Sequence, residues 1–272
     1  MTGPRSFYVQ DGPAFVSTPL TRGPWSPEHQ HAGPPSALLA SVVERSLPAH
    51  MVVARMTVEI LRPVPIAPLA VSLETQRAGR KVQWQSAQLL GPGNAVLARA
   101  HALCIRTTPV TLPVSGDPVA DPVPALADSA PFQFDFFTGE VGYHSGMESR
   151  LARGEFGSGR VSMWMRMRQP LLEGEAPSPL QRVMIAADSG NGVSMALSPL
   201  KYSFVNPDLT VYLHRPPVGE WVCLDARTIV QEHGIGLADT RLLDEQGPIG
   251  RSAQSLVIDI SMAARSGPWP RA

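Results

Sequence analysis

Three polar residues, Asp188, Asn206 and Gln254, form a set that only the C-terminal half of the chain carries. A carboxylate can take a proton from a water molecule, and a carboxamide can donate to water or accept from it. Taken singly, each residue also has a structural explanation. An Asp near a helix end can cap it, an Asn before proline starts turns, and a Gln on a strand is often exposed.

An internal repeat makes it informative that these three residues occur in one half of the chain only. Residues 52–63 return as residues 205–216 at an offset of 153, which also places 91–94 on 244–247 and 100–105 on 253–258. Where structure alone fixes the residue type, two copies of one unit should look alike.

The copies differ at the polar positions. Asn206 faces Val53, Gln254 faces His101, and the position near Asp188 falls on Glu44 or a neighbour. The sequence therefore predicts one working site per chain.

The elements that would position these residues follow the same order in each copy. A helix at 36–46, after Gly33-Pro34-Pro35, precedes strands at 52–61, 69–77, 82–91 and 95–106. A helix at 180–190, which Gly190 and Gly192 should stop, precedes strands at 208–214, 220–229, 235–243 and 248–260. Extended sequence at 6–16 and 159–166 precedes each helix. A curved antiparallel sheet wrapped on a buried helix fits each copy, with units at 1–106 and 132–272 and a proline-rich linker at 107–131.

Composition restricts the class of protein. Equal numbers of basic and acidic residues, 23 of each, disfavour a nucleic-acid or anionic-membrane partner. Two cysteines at non-equivalent positions disfavour disulfide and zinc frameworks, which suits a cytoplasmic location. No apolar run is long enough to span a bilayer. Ser36, Ser41 and Ser189 lie outside any Gly-x-Ser-x-Gly sequence, so a serine hydrolase of the α/β type is not supported.

Five short sequences resemble the TesB-like acyl-CoA thioesterases, and the likeness extends from about residue 12 to 260. They are Leu61-Arg62-Pro63, His214-Arg215-Pro216, Gln76-Arg77-Ala78-Gly79-Arg80, Gly219-Glu220-Trp221 and Ala187-Asp188-Ser189. The resemblance implies an α+β double hotdog of two tandem units, an acyl-CoA substrate, a role in lipid metabolism and no cofactor. Two such chains commonly pair, so a homodimer is possible.

The resemblance also assigns roles. In these enzymes an Asp on the second helix, a Thr at the start of the next strand and a Gln on the last strand hold the attacking water. Asp188 and Gln254 match this pattern, whereas Asn206 stands where the Thr is expected. Since an amide can bond to water as a hydroxyl does, we expect these three residues to be catalytic.

The segment before the first helix is a candidate substrate-binding site. Hotdog thioesterases hold the thioester carbonyl with a backbone N–H at such a helix start, where the helix dipole favours negative charge. Pro34 and Pro35 lack donors, so the useful amides would be those of Ala32 and Gly33, with Gly33 allowing close approach of the acyl group. His31 is either a substrate contact or an ordinary loop residue. No third ligand accompanies His29 and His31, so no metal is expected.

Two alternatives stay open from the sequence. A hotdog enoyl-thioester hydratase or dehydratase would need a histidine paired with a carboxylate, which His31 or His101 could supply. A non-catalytic acyl-thioester binding protein would bind acyl-CoA tightly without releasing thiol.

Overall fold

The N-terminal half folds into a curved sheet that encloses one helix. In a computed structural model, which describes residues 3–113, 121–137 and 139–261, the helices and strands of this half follow the predicted order within a few residues. They are β1 (Tyr8–Asp11), β2 (Ala14–Ser17), α1 (Gly33–Ser46), β3 (Met51–Ile60), β4 (Pro68–Ala78), β5 (Val82–Leu90) and β6 (Val96–Arg106).

The C-terminal half repeats this arrangement with additions. Its elements are β7 (Ala130–Phe132), α2 (Tyr143–Gly146), β8 (Met147–Gly154), β9 (Arg160–Met167), α3 (Pro179–Ala187), α4 (Gly190–Val193), β10 (Tyr202–Val205), β11 (Asp208–Leu213), β12 (Val222–Val230), β13 (Ile235–Asp244) and β14 (Gly247–Ile260). Strands β7, β8 and β10 were not predicted. Within the described ranges, no helix is long and apolar enough to cross a membrane.

One antiparallel sheet runs through both halves. Its strand order is β1-β2-β4-β5-β6-β3-β11-β14-β13-β12-β9-β8-β7, and β10 also pairs with β14. Strands β3 and β11 join the halves, with Thr57 opposite Thr210 and their hydroxyl oxygens 3.1 Å apart. These two residues are separated by the repeat offset of 153. The pseudo-twofold axis that relates the two copies therefore passes between them.

The two central helices pack against each other inside the sheet. Helix α1 is buried over almost its whole length, as its apolar sequence predicts. At its first residue the backbones are so close that a Cβ on Gly33 would lie 2.5 Å from the carbonyl oxygen of Ile185 in α3. The predicted double hotdog fold is confirmed. The domain boundaries stay a prediction, and residues 114–120 of the 107–131 linker lie outside the described residues.

The second helix ends earlier than the glycines indicated. Helix α3 stops at Ala187 with Asp188 as its C-cap residue, and the chain turns again through α4, which begins at Gly190. The prediction that Gly190 stops the helix was therefore wrong. A Cβ on Gly190 would lie 3.0 Å from the side-chain oxygen of Gln254, so this glycine serves close packing.

Asp244, at the end of β13, should make folding stability depend on pH. Its fully buried carboxylate binds the Arg215 guanidinium. Burial alone would raise the pKa of Asp244, but hydrogen bonds from Arg215 and from two backbone N–H groups hold that pKa below its ordinary value. A lowered folded-state pKa adds stability that is present above the unfolded value of about 3.9 and lost as pH falls through the folded value.

We therefore expect Asp244→Asn to lower the free energy of unfolding by about 1–3 kcal/mol at pH 7 and by much less at pH 3. Urea unfolding at both pH values measures this difference. Exposed Asp128, replaced by Asn, is the control. An equal loss for Asp244→Asn at both pH values would contradict the assignment.

Candidate active site

A cavity of about 420 Å³ lies where the two halves meet. The start of α1, the turn after β3, the end of α3 and the connection between β10 and β11 surround it. Of the predicted site residues, four line it: His31, Ala32, Asp188 and Asn206. Residues at the end of the later helix and at the start of the earlier helix therefore share one cavity.

Asp188 is the carboxylate of this cavity. It is only 5% exposed, and its Oδ1 accepts a hydrogen bond from Asn206 Nδ2 at 2.9 Å. Gln254 Nε2 donates to the backbone carbonyl of Asp188 at 3.0 Å and lies 3.3 Å from Oδ1. Asn206 and Gln254, predicted to act with Asp188, are thus both in contact with it. Two donors on one oxygen fix the orientation of the carboxylate.

Gln254 lies behind Asp188 and outside the cavity lining. It is 1% exposed, and its Oε1 accepts the backbone N–H of Asn191 at 3.0 Å. Both ends of the amide are therefore used to hold the chain around the end of α3. This geometry suits a residue that positions Asp188 better than one that touches water itself.

His31 contacts the other oxygen of the same carboxylate. Its Nδ1 is 3.0 Å from Asp188 Oδ2 and 3.0 Å from the backbone nitrogen of Gly33. Gly33 can donate to Nδ1 only when Nδ1 carries no proton, whereas the contact with ionised Asp188 is attractive only when it does. The location of one proton therefore decides which of the two neighbours His31 binds.

Tyr143 fixes the plane of the His31 ring. The two rings are stacked, with centroids 3.8 Å apart and planes 2° from parallel. The Tyr143 hydroxyl donates to the carbonyl oxygen of Ile185 at 2.8 Å, so Ser189 must be the donor in the 2.8 Å contact between Ser189 and that hydroxyl. Burial raises the pKa of Tyr143 far above its ordinary value, so it stays a neutral donor. Sequence reasoning missed this residue.

The amides at the start of α1 differ in availability. The Gly33 N–H points at His31, and Gly33 is not part of the cavity lining; its missing side chain makes room for Ile185, not for an acyl group. Ala32 lines the cavity, and its N–H has no hydrogen-bond partner among the described residues. The role of Gly33 in acyl approach therefore stays a prediction, and Ala32 is the predicted residue that reaches the cavity.

Comparison with known families decides the class of the protein. Residues 21–105 match the acyl-CoA thioesterase N-terminal domain, and residues 118–258 match the acyl-CoA thioesterase C-terminal domain. The chain belongs to the acyl-CoA thioesterase family. It is therefore a thioester hydrolase. No significant match was found among curated proteins.

Solved structures share the fold of this thioesterase. A hot dog fold protein of unknown function from Alicyclobacillus acidocaldarius superposes with a TM-score of 0.72 at 17% identity, covering 93% of this chain and 95% of the other. The tesB protein of Mycobacterium avium subs paratuberculosis superposes with a TM-score of 0.65 at 17% identity, covering 90% of this chain and 92% of the other. The acyl-CoA thioesterase II TesB2 of Mycobacterium marinum superposes with a TM-score of 0.63 at 13% identity, covering 96% of this chain and 95% of the other. At these identities the likeness concerns the fold alone.

Aromatic side chains form one wall of the thioesterase cavity. Phe134, Phe136 and Phe137 line it and pack on one another with centroids 5.1–6.4 Å apart. Across the cavity, Trp25 lies edge-on to Phe204 at 5.6 Å. The dense run of phenylalanines at 132–137 was the sequence signal for this wall. The apolar lining is suited to an acyl group.

A second cavity, of about 330 Å³, lies at the pseudo-symmetric position. It is lined by 51–53 and 213–216, the repeat equivalents of 204–206 and 60–63, and by Glu44 near the end of α1. Val53 stands there in place of Asn206. The second cavity thus shares the backbone framework of the first but lacks its Asn206 amide, in agreement with one working site per chain.

Proposed function

We propose that the chain hydrolyses acyl-CoA to a free acid and coenzyme A, with Asp188 as general base. The observation that carries the proposal is the Asp188 carboxylate at the wall of an apolar cavity, oriented by Asn206 and Gln254. Asp188 takes a proton from water as the water oxygen attacks the thioester carbonyl carbon. When the tetrahedral intermediate collapses, the C–S bond breaks and the proton returns from Asp188 to the departing sulfur.

Asn206 and Gln254 have different parts in this proposal. Asn206 lines the cavity, so its amide can contact the attacking water as well as Asp188. Gln254 acts through Asp188 by fixing the end of α3. Asn206 replaces the expected Thr without losing a hydrogen-bonding group, because an amide offers both a donor and an acceptor.

The Ala32 N–H is the proposed donor to the thioester carbonyl oxygen. It lies at the start of a buried helix, where the helix dipole stabilises developing negative charge. An oxyanion donor of this kind contributes about 10²–10³ in rate. Among the two predicted amides it is the one with no competing acceptor in the described part of the chain.

His31 should support turnover by holding the Asp188 carboxylate in place. Its Nδ1 lies 3.0 Å from Asp188 Oδ2, so removing the ring takes away the contact on the oxygen that Asn206 and Gln254 do not bind. We expect His31→Ala to lower kcat roughly tenfold at neutral pH, and His31→Asn, which keeps a donor, to lose less.

His29→Ala is the matched control, since His29 lines the same cavity without contacting Asp188 in the described residues. Thiol release at pH 7 measures the effect on kcat. A kcat for His31→Ala equal to that of His29→Ala would rule out this role.

The contact between His31 and Asp188 is also what a hydratase would require. The two reactions separate in one experiment: acyl-CoA esters of 2 to 16 carbons are assayed for thiol release, and an enoyl-CoA for loss of its conjugated absorbance without thiol release. We expect thiol release. Hydration alone would favour the hydratase, and tight acyl-CoA binding with neither reaction would favour a binding protein. A cytoplasmic role in lipid metabolism, with pairing into homodimers, belongs to the same proposal.

A further inference from the structure

Arg62 and Arg215 are equivalent residues of the repeat with different surroundings. Arg62 follows β3 and Arg215 follows β11, and each precedes a proline, at the offset of 153. Arg62 lines the cavity that contains Asp188, and Arg215 lines the pseudo-symmetric cavity. A purely structural role shared by the two positions would give them similar partners.

Arg215 is fully engaged with the protein. Its two terminal nitrogens bind the two oxygens of buried Asp244 at 2.5 and 2.6 Å, and the guanidinium also donates to the carbonyls of Pro248 and Gly247. This bidentate pair ties the turn after β11 to the β13–β14 connection. Arg215 is therefore a structural residue.

Arg62 lacks the corresponding carboxylate. The repeat places Gly91 where the other copy has Asp244. The Arg62 guanidinium has no hydrogen bond or ion pair to any residue in the ranges 3–113, 121–137 and 139–261. Its backbone N–H binds the carbonyl of Leu97 at 3.1 Å, so the base of the side chain is held. Arg62 is exposed, as are Leu61 and Pro63 beside it, which places it at the mouth of the cavity.

An unpaired guanidinium at the mouth of a thioester site is suited to a phosphate. Its planar N–H donors match phosphate oxygens in geometry, and its positive charge attracts them. Among the described residues, the lining of the cavity holds one carboxylate, that of Asp188, which contacts Asn206 and His31. No carboxylate of the lining therefore competes with an anion arriving at Arg62.

We propose that Arg62 binds a phosphate of the carrier to which the acyl group is attached, and so selects phosphorylated over unphosphorylated thioesters. The proposal rests on the proposed function, since it assumes that the acyl group enters the cavity beside Asp188. Two carriers offer this chemistry: coenzyme A, and the phosphopantetheine arm of a carrier protein. Both place a phosphate a pantetheine length from the thioester sulfur.

The test compares Arg62→Gln with the wild-type protein on three thioesters of one acyl group, chosen as the one with the highest turnover in the chain-length series. The substrates are acyl-CoA, acyl-phosphopantetheine and acyl-pantetheine, and kcat and KM are measured by thiol release. Arg62→Lys tests whether a positive charge without the planar guanidinium is enough to bind the phosphate. Arg77→Gln is the control, because Arg77 is exposed on β4 and is not part of the cavity lining.

We expect Arg62→Gln to raise KM for acyl-CoA at least about fivefold with kcat nearly unchanged, and to leave acyl-pantetheine unaffected. Arg62→Lys should recover part of the loss, and Arg77→Gln should behave as wild type. Added salt should raise the wild-type KM for acyl-CoA more than that of Arg62→Gln. If Arg62→Gln raises KM equally for acyl-CoA and acyl-phosphopantetheine, Arg62 binds the phosphate next to pantetheine. If KM rises for acyl-CoA alone, Arg62 binds a phosphate of the nucleotide.

Two failures are distinguishable. Equal KM values for wild type and Arg62→Gln on acyl-CoA, or an equal rise on acyl-pantetheine, would overturn the role of Arg62 while the hydrolase proposal stands. Absence of thiol release from all three thioesters by the wild-type protein would overturn the proposed function itself.

Discussion

Asp188→Asn should lower kcat for acyl-CoA hydrolysis at least tenfold, within reach of the ~10²–10⁴ that a general base typically contributes. The substitution keeps the size of the side chain. The carbonyl oxygen of the new Asn can accept the hydrogen bonds that Asn206 and Gln254 donate to Asp188 Oδ1. It removes the only group of the set that can take a proton from water. Turnover is measured by thiol release across several acyl lengths, and circular dichroism checks that the fold is kept.

Glu44→Gln is the matched control for this prediction. Glu44 lies near the end of α1 and lines the pseudo-symmetric cavity, so the same change of charge is made at the site that lacks Asn206. We expect its kcat to equal that of the wild-type protein. Unchanged rates for Asp188→Asn, or equal losses in the two variants, would refute the role of Asp188.

Gly33→Ala should affect both stability and turnover. The added Cβ would lie 2.5 Å from the carbonyl oxygen of Ile185, so α1 and α3 must separate. Overpacking of this kind costs about 1–3 kcal/mol. Gly33 is two residues after His31 and Ile185 is three before Asp188, so the shift should also separate His31 from Asp188. A displacement near 1 Å can reduce turnover by about 10²-fold.

Urea unfolding and kcat measure the two effects of Gly33→Ala. Gly192→Ala serves as the stability control, because its Cβ would meet no atom closer than 3.9 Å. We expect it to be as stable as the wild-type protein. If Gly33→Ala were also of wild-type stability, the close approach of α1 and α3 could not be what requires glycine at position 33.

The repeat explains why so much of the fold could be predicted. Strand β3 and its equivalent β11 share the pattern that ends in Arg-Pro, and the offset of 153 carried through to β6 and β14 within a few residues. Two copies of one pattern also restrict the strand assignment, because a strand assigned in one copy must have an equivalent in the other. Thr57 and Thr210 then fall on the axis between the copies without further assumption.

Contacts between residues far apart in the sequence could not be predicted from the repeat. His31 and Asp188 are 157 residues apart, and Tyr143, which stacks on His31, lies in a segment with no periodicity. Gly33 and Gly190 are glycines because of neighbours far away in sequence, Ile185 and Gln254. Helix signals treat glycine as a local stop, so they misplaced the end of α3. Such roles follow from packing, which only the fold supplies.

We propose that water held at Asp188 attacks the thioester directly. A single turnover in ¹⁸O-labelled water, with enzyme in excess over acyl-CoA, tests it by mass spectrometry of the released acid and of the peptide that contains Asp188. We expect one ¹⁸O in the acid from the first turnover and none in the Asp188 carboxylate. Unlabelled acid with label in Asp188 would show that the carboxylate attacks the carbonyl itself, and no released acid at all would contradict hydrolysis.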